Sequence, residues 1–176
     1  MTSILTAHTA LKERKVFKSA VEVEMRDGLG IHLIGMADNA VKESLLRVVT
    51  ALQSCGYRIP GKKIIINIAP TFLHRNTSGF DLPIAIGILK ESGQVHFSTN
   101  GLYIYGELGL DGTIRQTGDE RDIFQFGSKE QPTAGPFLPE EDSWPNNDGR
   151  YGYFGFATLR ELIDYYEKNH YICSDR

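Results

Sequence analysis

Residues 62–93, KKIIINIAPTFLHRNTSGFDLPIAIGILKESG, decide the fold. The segment Lys62–Ala69 is short and β-branched, with isoleucines on both faces. It reads as a central strand buried on at least one side, ended by Pro70. A polar loop, His74-Arg75-Asn76-Thr77-Ser78-Gly79, follows. A helix then runs from about Asp81 to Ser92, with Pro83 in the first turn, where its missing N–H costs nothing. Leu82, Ile84, Ala85, Ile86, Ile88 and Leu89 cover nearly the whole circumference, so this helix belongs inside the domain. Gly87 allows a neighbouring backbone to come close, and Gly93 marks the stop.

Upstream, Val21, Val23 and Met25 alternate with Glu22, Glu24 and Arg26, and Asp27-Gly28 gives a turn signal before Ile31 and Leu33. That pattern predicts a hairpin with one wet face. Residues 1–14 carry no such pattern and read as a flexible lead-in. Asp38 is an N-cap candidate for a helix with an apolar stripe of Ala37, Val41, Leu45, Val48, Leu52 and Cys55, stopped by Gly56. Downstream, Leu102–Leu110, Asp111-Gly112 and Thr113–Gln116 predict a second hairpin. Residues 127–150 read mostly as loop, with a short strand at Pro136-Phe137-Leu138. Tyr151–Phe156 is an aromatic strand. Thr158-Leu159-Arg160-Glu161 forms a capping box opening a last helix, whose apolar face is Leu159, Leu162, Ile163 and Tyr166. One domain over 15–170 results, with 171–176 as a tail. Hairpins mixed with helices give an α+β class: a mixed β-sheet with helices packed mainly on one side.

The chain has 176 residues, enough for a core without disulfides or metal, and its 41% hydrophobic and 23% charged residues exclude a disordered or coiled-coil protein. A formal charge of −3 argues against a broad electrostatic footprint for nucleic acid. No apolar run is long enough for a membrane helix. The N-terminal stretch has no secretory pattern, so the expected location is the cytoplasm. Cys55 and Cys173, far apart, support neither a disulfide framework nor a zinc site.

Individual motifs are mostly silent. Gly56–Lys62 has the spacing of a phosphate-binding loop, but Lys63 replaces the magnesium-holding hydroxyl, and the loop enters a strand instead of a helix. His8, His32, His74, His96 and His170 show no metal-ligand spacing and read as surface or loop residues. Ser78, His74 and Asp81 name a triad on paper, without a nucleophile elbow. The loop Asn76–Asp81 runs into a helix N-terminus, where amides converge on anions. Asp81 would compete with an anionic ligand there, and its plainer role is to cap the helix. Asp119-Glu120-Arg121-Asp122 reads as a solvated charged face. Tyr103, Tyr105, Tyr151, Tyr153, Phe154 and Phe156 read as core rather than base-stacking residues, since no basic groove accompanies them.

The stretch GLGIHLIGMADNAVKESLLRVVTALQSCGYRIPGKKIIINIAP, then SGFDLPIAIGIL and GELGLDGTIR, resembles the N-terminal domain of the magnesium-chelatase-related, ComM-like AAA+ proteins. FLPEED and YGYFGFATLRELIDYYE are similar to that domain's closing strand and helix. The resemblance implies the fold shared by the proteolytic domain of Lon and the second domain of a small-subunit ribosomal protein. It also implies longer relatives in which an ATP-driven motor follows, similar to hexameric helicases that move DNA branches during natural transformation. This chain has no phosphate loop, so nucleotide binding does not transfer. Relatives carry an alanine- and leucine-rich helix after the GELGLDG hairpin; Thr117–Ala134 departs from that pattern, which implies a thinned or remodelled layer. By motif position, Asp81 falls where Lon-like proteases have their serine and Arg121 where they have their lysine. Arginine stays protonated and cannot serve as a general base. The resemblance thus implies a degenerate dyad whose members form an ion pair or border a weak ligand site with Thr77, Ser78 and Gly79.

The leading expectation is a non-catalytic interaction or assembly module that works with an AAA+ partner or with itself, without cofactor, metal, nucleotide or membrane. One alternative is a remnant serine hydrolase using Ser78 or Thr77. The other is a weak single-stranded DNA binder using Arg58, Lys62 and Lys63.

Overall fold

The computed structural model describes residues 1–10, 15–35, 38–70, 78–127, 131–137 and 152–169. Fourteen regular elements follow one another: β1 (Thr2–Ala10), β2 (Lys15–Arg26), β3 (Ile31–Ile34), α1 (Asp38–Ser54), β4 (Lys63–Ala69), a 3₁₀ turn (Ser78–Phe80), α2 (Asp81–Glu91), β5 (Tyr103–Ile104), β6 (Glu107–Leu108), β7 (Ile114–Arg115), α3 (Glu120–Gly127), β8 (Thr133–Pro136), β9 (Tyr153–Phe156) and α4 (Leu159–Lys168). Seven strands form one mixed sheet in the order β3-β4-β2-β1-β5-β8-β9, and β6 pairs with β7 in a separate ribbon. Strand β2 runs antiparallel to β1 and β4, while the other neighbours in the large sheet run parallel. The class is α+β, as the mixture of hairpins and helices requires.

The core lies between one sheet face and helices α1, α2 and α4. Ile4, Val21, Val23, Ile64, Ile66 and Ile68 point into it from the strands and meet Val48, Leu52, Ile84, Ile88, Leu162 and Ile163. Every residue of α2 from Asp81 to Leu89 is buried, the result expected of a helix apolar all round. Gly87 lets α2 settle on the sheet: a Cβ there would lie 2.6 Å from Val23 Cγ2. On the other face, α3 covers Ala7, Tyr103 and Tyr105 with Ile123, in a smaller cluster. Helices therefore do pack mainly on one side. Among the described residues, no helix is long and apolar enough to cross a membrane.

The structure corrects four expectations about the fold. Residues 2–10 are not a lead-in; they form β1, inside the sheet between β2 and β5. Its inward residues are Ile4, Thr6 and His8, all at most 1% exposed, and two polar side chains in three hide the apolar alternation. Asp27-Gly28 is no hairpin turn, because β4 lies between β2 and β3 and the latter pairs parallel with β4. Parallel neighbours need a crossover, and the Asp-Gly signal carries no information about which strand inserts. The segment after the GELGLDG hairpin keeps a helix, α3, with Ile123 and Phe124 buried. Its neighbour Glu120 is 6% exposed, so the charged run is not a purely solvated face. The second hairpin does form, as β6–β7 around Asp111-Gly112, and Tyr103 and Tyr105 are core residues. Phe154, by contrast, is 37% exposed on edge strand β9.

Candidate functional site

The loop-to-helix junction at the start of α2 is the place where the sequence concentrates its candidates. The 3₁₀ turn Ser78–Phe80 feeds α2 directly, with Phe80 at the cap position and no side-chain cap. Gly106, in the link between β5 and β6, fastens this turn: its N–H donates to the Gly79 carbonyl at 3.0 Å, and Leu82 N–H donates to the Gly106 carbonyl at 3.0 Å. Gly79 is required by packing, since a Cβ there would fall within the Tyr105 ring.

Asp81 is 0% exposed. Its carboxylate does not cap the helix. It accepts hydrogen bonds from Ser44 Oγ (2.6 Å), Arg47 Nε (2.6 Å), Arg47 Nη2 (3.1 Å) and the Leu108 N–H (3.2 Å). Helix α1 supplies Ser44 and Arg47, and ribbon strand β6 supplies Leu108, so one carboxylate ties three elements together. The Arg47 fork is the planar, charge-assisted geometry that arginine makes with carboxylates. Burial pushes the Asp81 pKa above its ordinary 3.8, and the bonds from Arg47 and Ser44 pull it back only in part. Arg47 in turn is held more firmly protonated by Asp81. Both carboxylate oxygens thus accept from protein donors, and neither faces solvent.

Arg121, the expected counterpart of Asp81, stands exposed on α3. The ion pair of Asp81 is made with Arg47 instead. Ser78 takes part in the 3₁₀ turn by its backbone. Thr77 and His74 lie outside the described residues. Sequence reasoning missed Ser44 and Arg47 because the α1 stripe was traced through its apolar members alone. The signal was present: Ser44, Val48 and Ala51 are spaced as one face, and all three are fully buried.

Two further polar groups flank the turn. The Tyr105 hydroxyl meets Thr117 Oγ1 at 2.7 Å and donates to Asp119, and burial together with Asp119 raises its pKa far enough that the phenol stays protonated. On the other side, Phe80 lies 6.1 Å from the His8 ring, and His8 Nδ1 is 2.6 Å from Ser19 Oγ. His8 was expected at the surface or in a loop; at 1% exposure, beside Ser19 at 2%, it forms an enclosed hydrogen bond of the core. Among the described residues, no group of three His, Cys, Asp or Glu side chains is placed to hold a metal ion.

Comparison with known proteins bears on this geometry. The chain is 40% identical over 97 residues to the uncharacterized protein YifB of Salmonella typhimurium and 41% identical over 97 residues to YifB of Escherichia coli. It is 39% identical over 97 residues to competence protein ComM of Haemophilus influenzae. Each match covers 54% of this chain and 19% of the relative, so the chain spans about a fifth of the length of these proteins. The model of the family described as subunit ChlI of Mg-chelatase matches residues 21–142, a range that takes in α1, β4, the buried α2 with Asp81, and the β6–β7 ribbon. By that match over more than half its length, the chain belongs to the Mg-chelatase subunit ChlI family.

Proposed function

We propose that this chain is a non-catalytic interaction or assembly module of the ComM-like kind, working with a longer ComM-like AAA+ protein or with a second copy of itself. The observation that supports this reading is the closed bonding of Asp81. At the position where the resemblance implies a protease nucleophile stands a carboxylate with Ser44, Arg47 and Leu108 as donors and no exposed surface. Arg121, at the lysine position, cannot accept a proton from a nucleophile. The group at this junction joins α1, α2 and β6 and presents no free face for chemistry. The process served would be that of the longer relatives, which the resemblance associates with DNA processing.

Light scattering of the purified chain, alone and mixed with a purified ComM-like AAA+ protein, tests the proposal. A mass above that of the monomer, or a stable mixed complex, is expected, with no turnover of casein or ATP by the chain alone. A chain that stays monomeric in both settings, or that cleaves casein in a manner abolished by Ser78→Ala, overturns it.

A further inference from the structure

At the far end of α2 from Asp81, the end of β2, the α1–β4 connection and the segment after α2 enclose an open cavity of about 470 Å³. The volume lies in the range of small-molecule sites. Its loop wall is clamped. The Gln94 side-chain amide accepts from the Arg58 N–H at 3.0 Å, donates to the Arg58 carbonyl at 2.9 Å, and donates to Ser92 Oγ at 2.8 Å. That two-point contact imitates a strand pairing and fixes the backbone from which Arg58 projects. Arg58 and Lys62 both line the cavity and both are exposed. Among the described residues, no hydrogen bond or ion pair engages the Arg58 guanidinium or the Lys62 ammonium. The one carboxylate in the wall, Glu91, is already taken: it accepts from Thr2 Oγ1 at 2.7 Å and pairs with the Met1 ammonium at 3.3 Å. Met25 and Pro60 supply an apolar surface beside the two cations. Two cations without a protein partner among the described residues, one of them on a clamped backbone, make a local reversal of the overall field in a chain of net charge −3.

We infer that this cavity binds a terminal phosphate monoester, its dianionic group held between the Arg58 fork and the Lys62 point charge and its organic part against Met25 and Pro60. Guanidinium matches phosphate oxygens two at a time, and an ammonium adds a compact charge, which suits a dianion better than a singly charged diester. The phosphate can come from a free small ester or from the phosphorylated end of a nucleic-acid strand. The inference is independent of the assembly role proposed above, since the cavity lies away from Asp81 and its partners.

The test is a titration of the whole chain followed by amide NMR shifts. The probes are inorganic phosphate, thymidine 5′-monophosphate, and a short thymidine oligonucleotide with and without a 5′-phosphate. Saturable shifts at residues 58–62 and 92–94 are expected with phosphate and with the monophosphate. The double variant Arg58→Gln/Lys62→Gln, at exposed positions, should keep the dispersed spectrum and bind the monophosphate about tenfold or more weakly. Tighter binding of the phosphorylated oligonucleotide than of the monophosphate assigns the strand end as the source; equal or weaker binding assigns the small ester. The inference is overturned by absence of saturable shifts, by shifts unchanged in the double variant, or by an unphosphorylated oligonucleotide that binds as tightly as its phosphorylated form.

Discussion

Asp81 gathers the energetics of the junction into one carboxylate. Removing Arg47 would leave that charge buried with only Ser44 and a backbone amide as donors. Breaking one side of a buried pair typically costs 3–5 kcal/mol, and partial exposure of Arg47 places Arg47→Ala at the low end, about 3 kcal/mol, measurable by urea unfolding. The pH dependence carries a definite sign. Because the Asp81 pKa is raised above 3.8, its contribution to stability is fully present below the unfolded value and is lost as pH rises through the folded one. Relative to Asp81→Asn, the parent protein should therefore lose stability as pH climbs from the ordinary carboxylate range through the raised value. Parallel urea midpoints for the two proteins across that window would contradict it. Tyr105 is the second residue under tension between burial and hydrogen bonding. Tyr105→Phe removes a donor to Asp119 and a partner of Thr117, and about 1–3 kcal/mol should be lost through the polar groups left behind.

Elements differ in how their sequences announce them. Helix α4 carries its own start: Thr158 Oγ1 accepts from the Glu161 N–H at 3.1 Å, and Glu161 reaches back to the Ala157 N–H at 2.8 Å. Thr158→Ala should cost about 1 kcal/mol in thermal or urea unfolding. The 3₁₀ turn before α2 depends on a neighbour distant in sequence. Gly79→Ala forces a methyl into the Tyr105 ring and should destabilise by about 1–3 kcal/mol, with the loss reduced when Tyr105 is first shortened to leucine. Strand β4 and helix α2 were legible because burial on several sides leaves near-continuous apolar runs, and helix α4 because its apolar face and its cap lie within a few positions of one another. Helix α3 was not legible, since Gly118 and the run of charges mask it. Its Glu120 turns inward to accept the Gly118 N–H at 3.0 Å, satisfying an amide that a surface reading leaves to water. The Asp-Gly signal at residues 27 and 28 marks a chain reversal without a pairing, because a turn fixes direction and not which strand comes to lie alongside.

For the molecule as a whole, β1 joins two halves of the sheet, with β2 on one side and β5 on the other. Deleting residues 1–10 should abolish cooperative unfolding and amide dispersion, since β5, β8 and β9 would lose their link to β2 and the core would lose Ile4. A truncated chain that still unfolds cooperatively would show those residues to be dispensable. The amino-acid sequence alone settled the class, the buried helix, the ribbon and the family likeness, because apolar spacing and turn chemistry are local properties that neighbours within a few positions enforce. Only the tertiary structure decided that β4 inserts between β2 and β3, that β1 is interior, and that Asp81 pairs with Arg47 and not with Arg121. Those choices depend on which side chains, tens of residues apart, compete for the same buried polar group, and the spacing within a single segment does not record that competition.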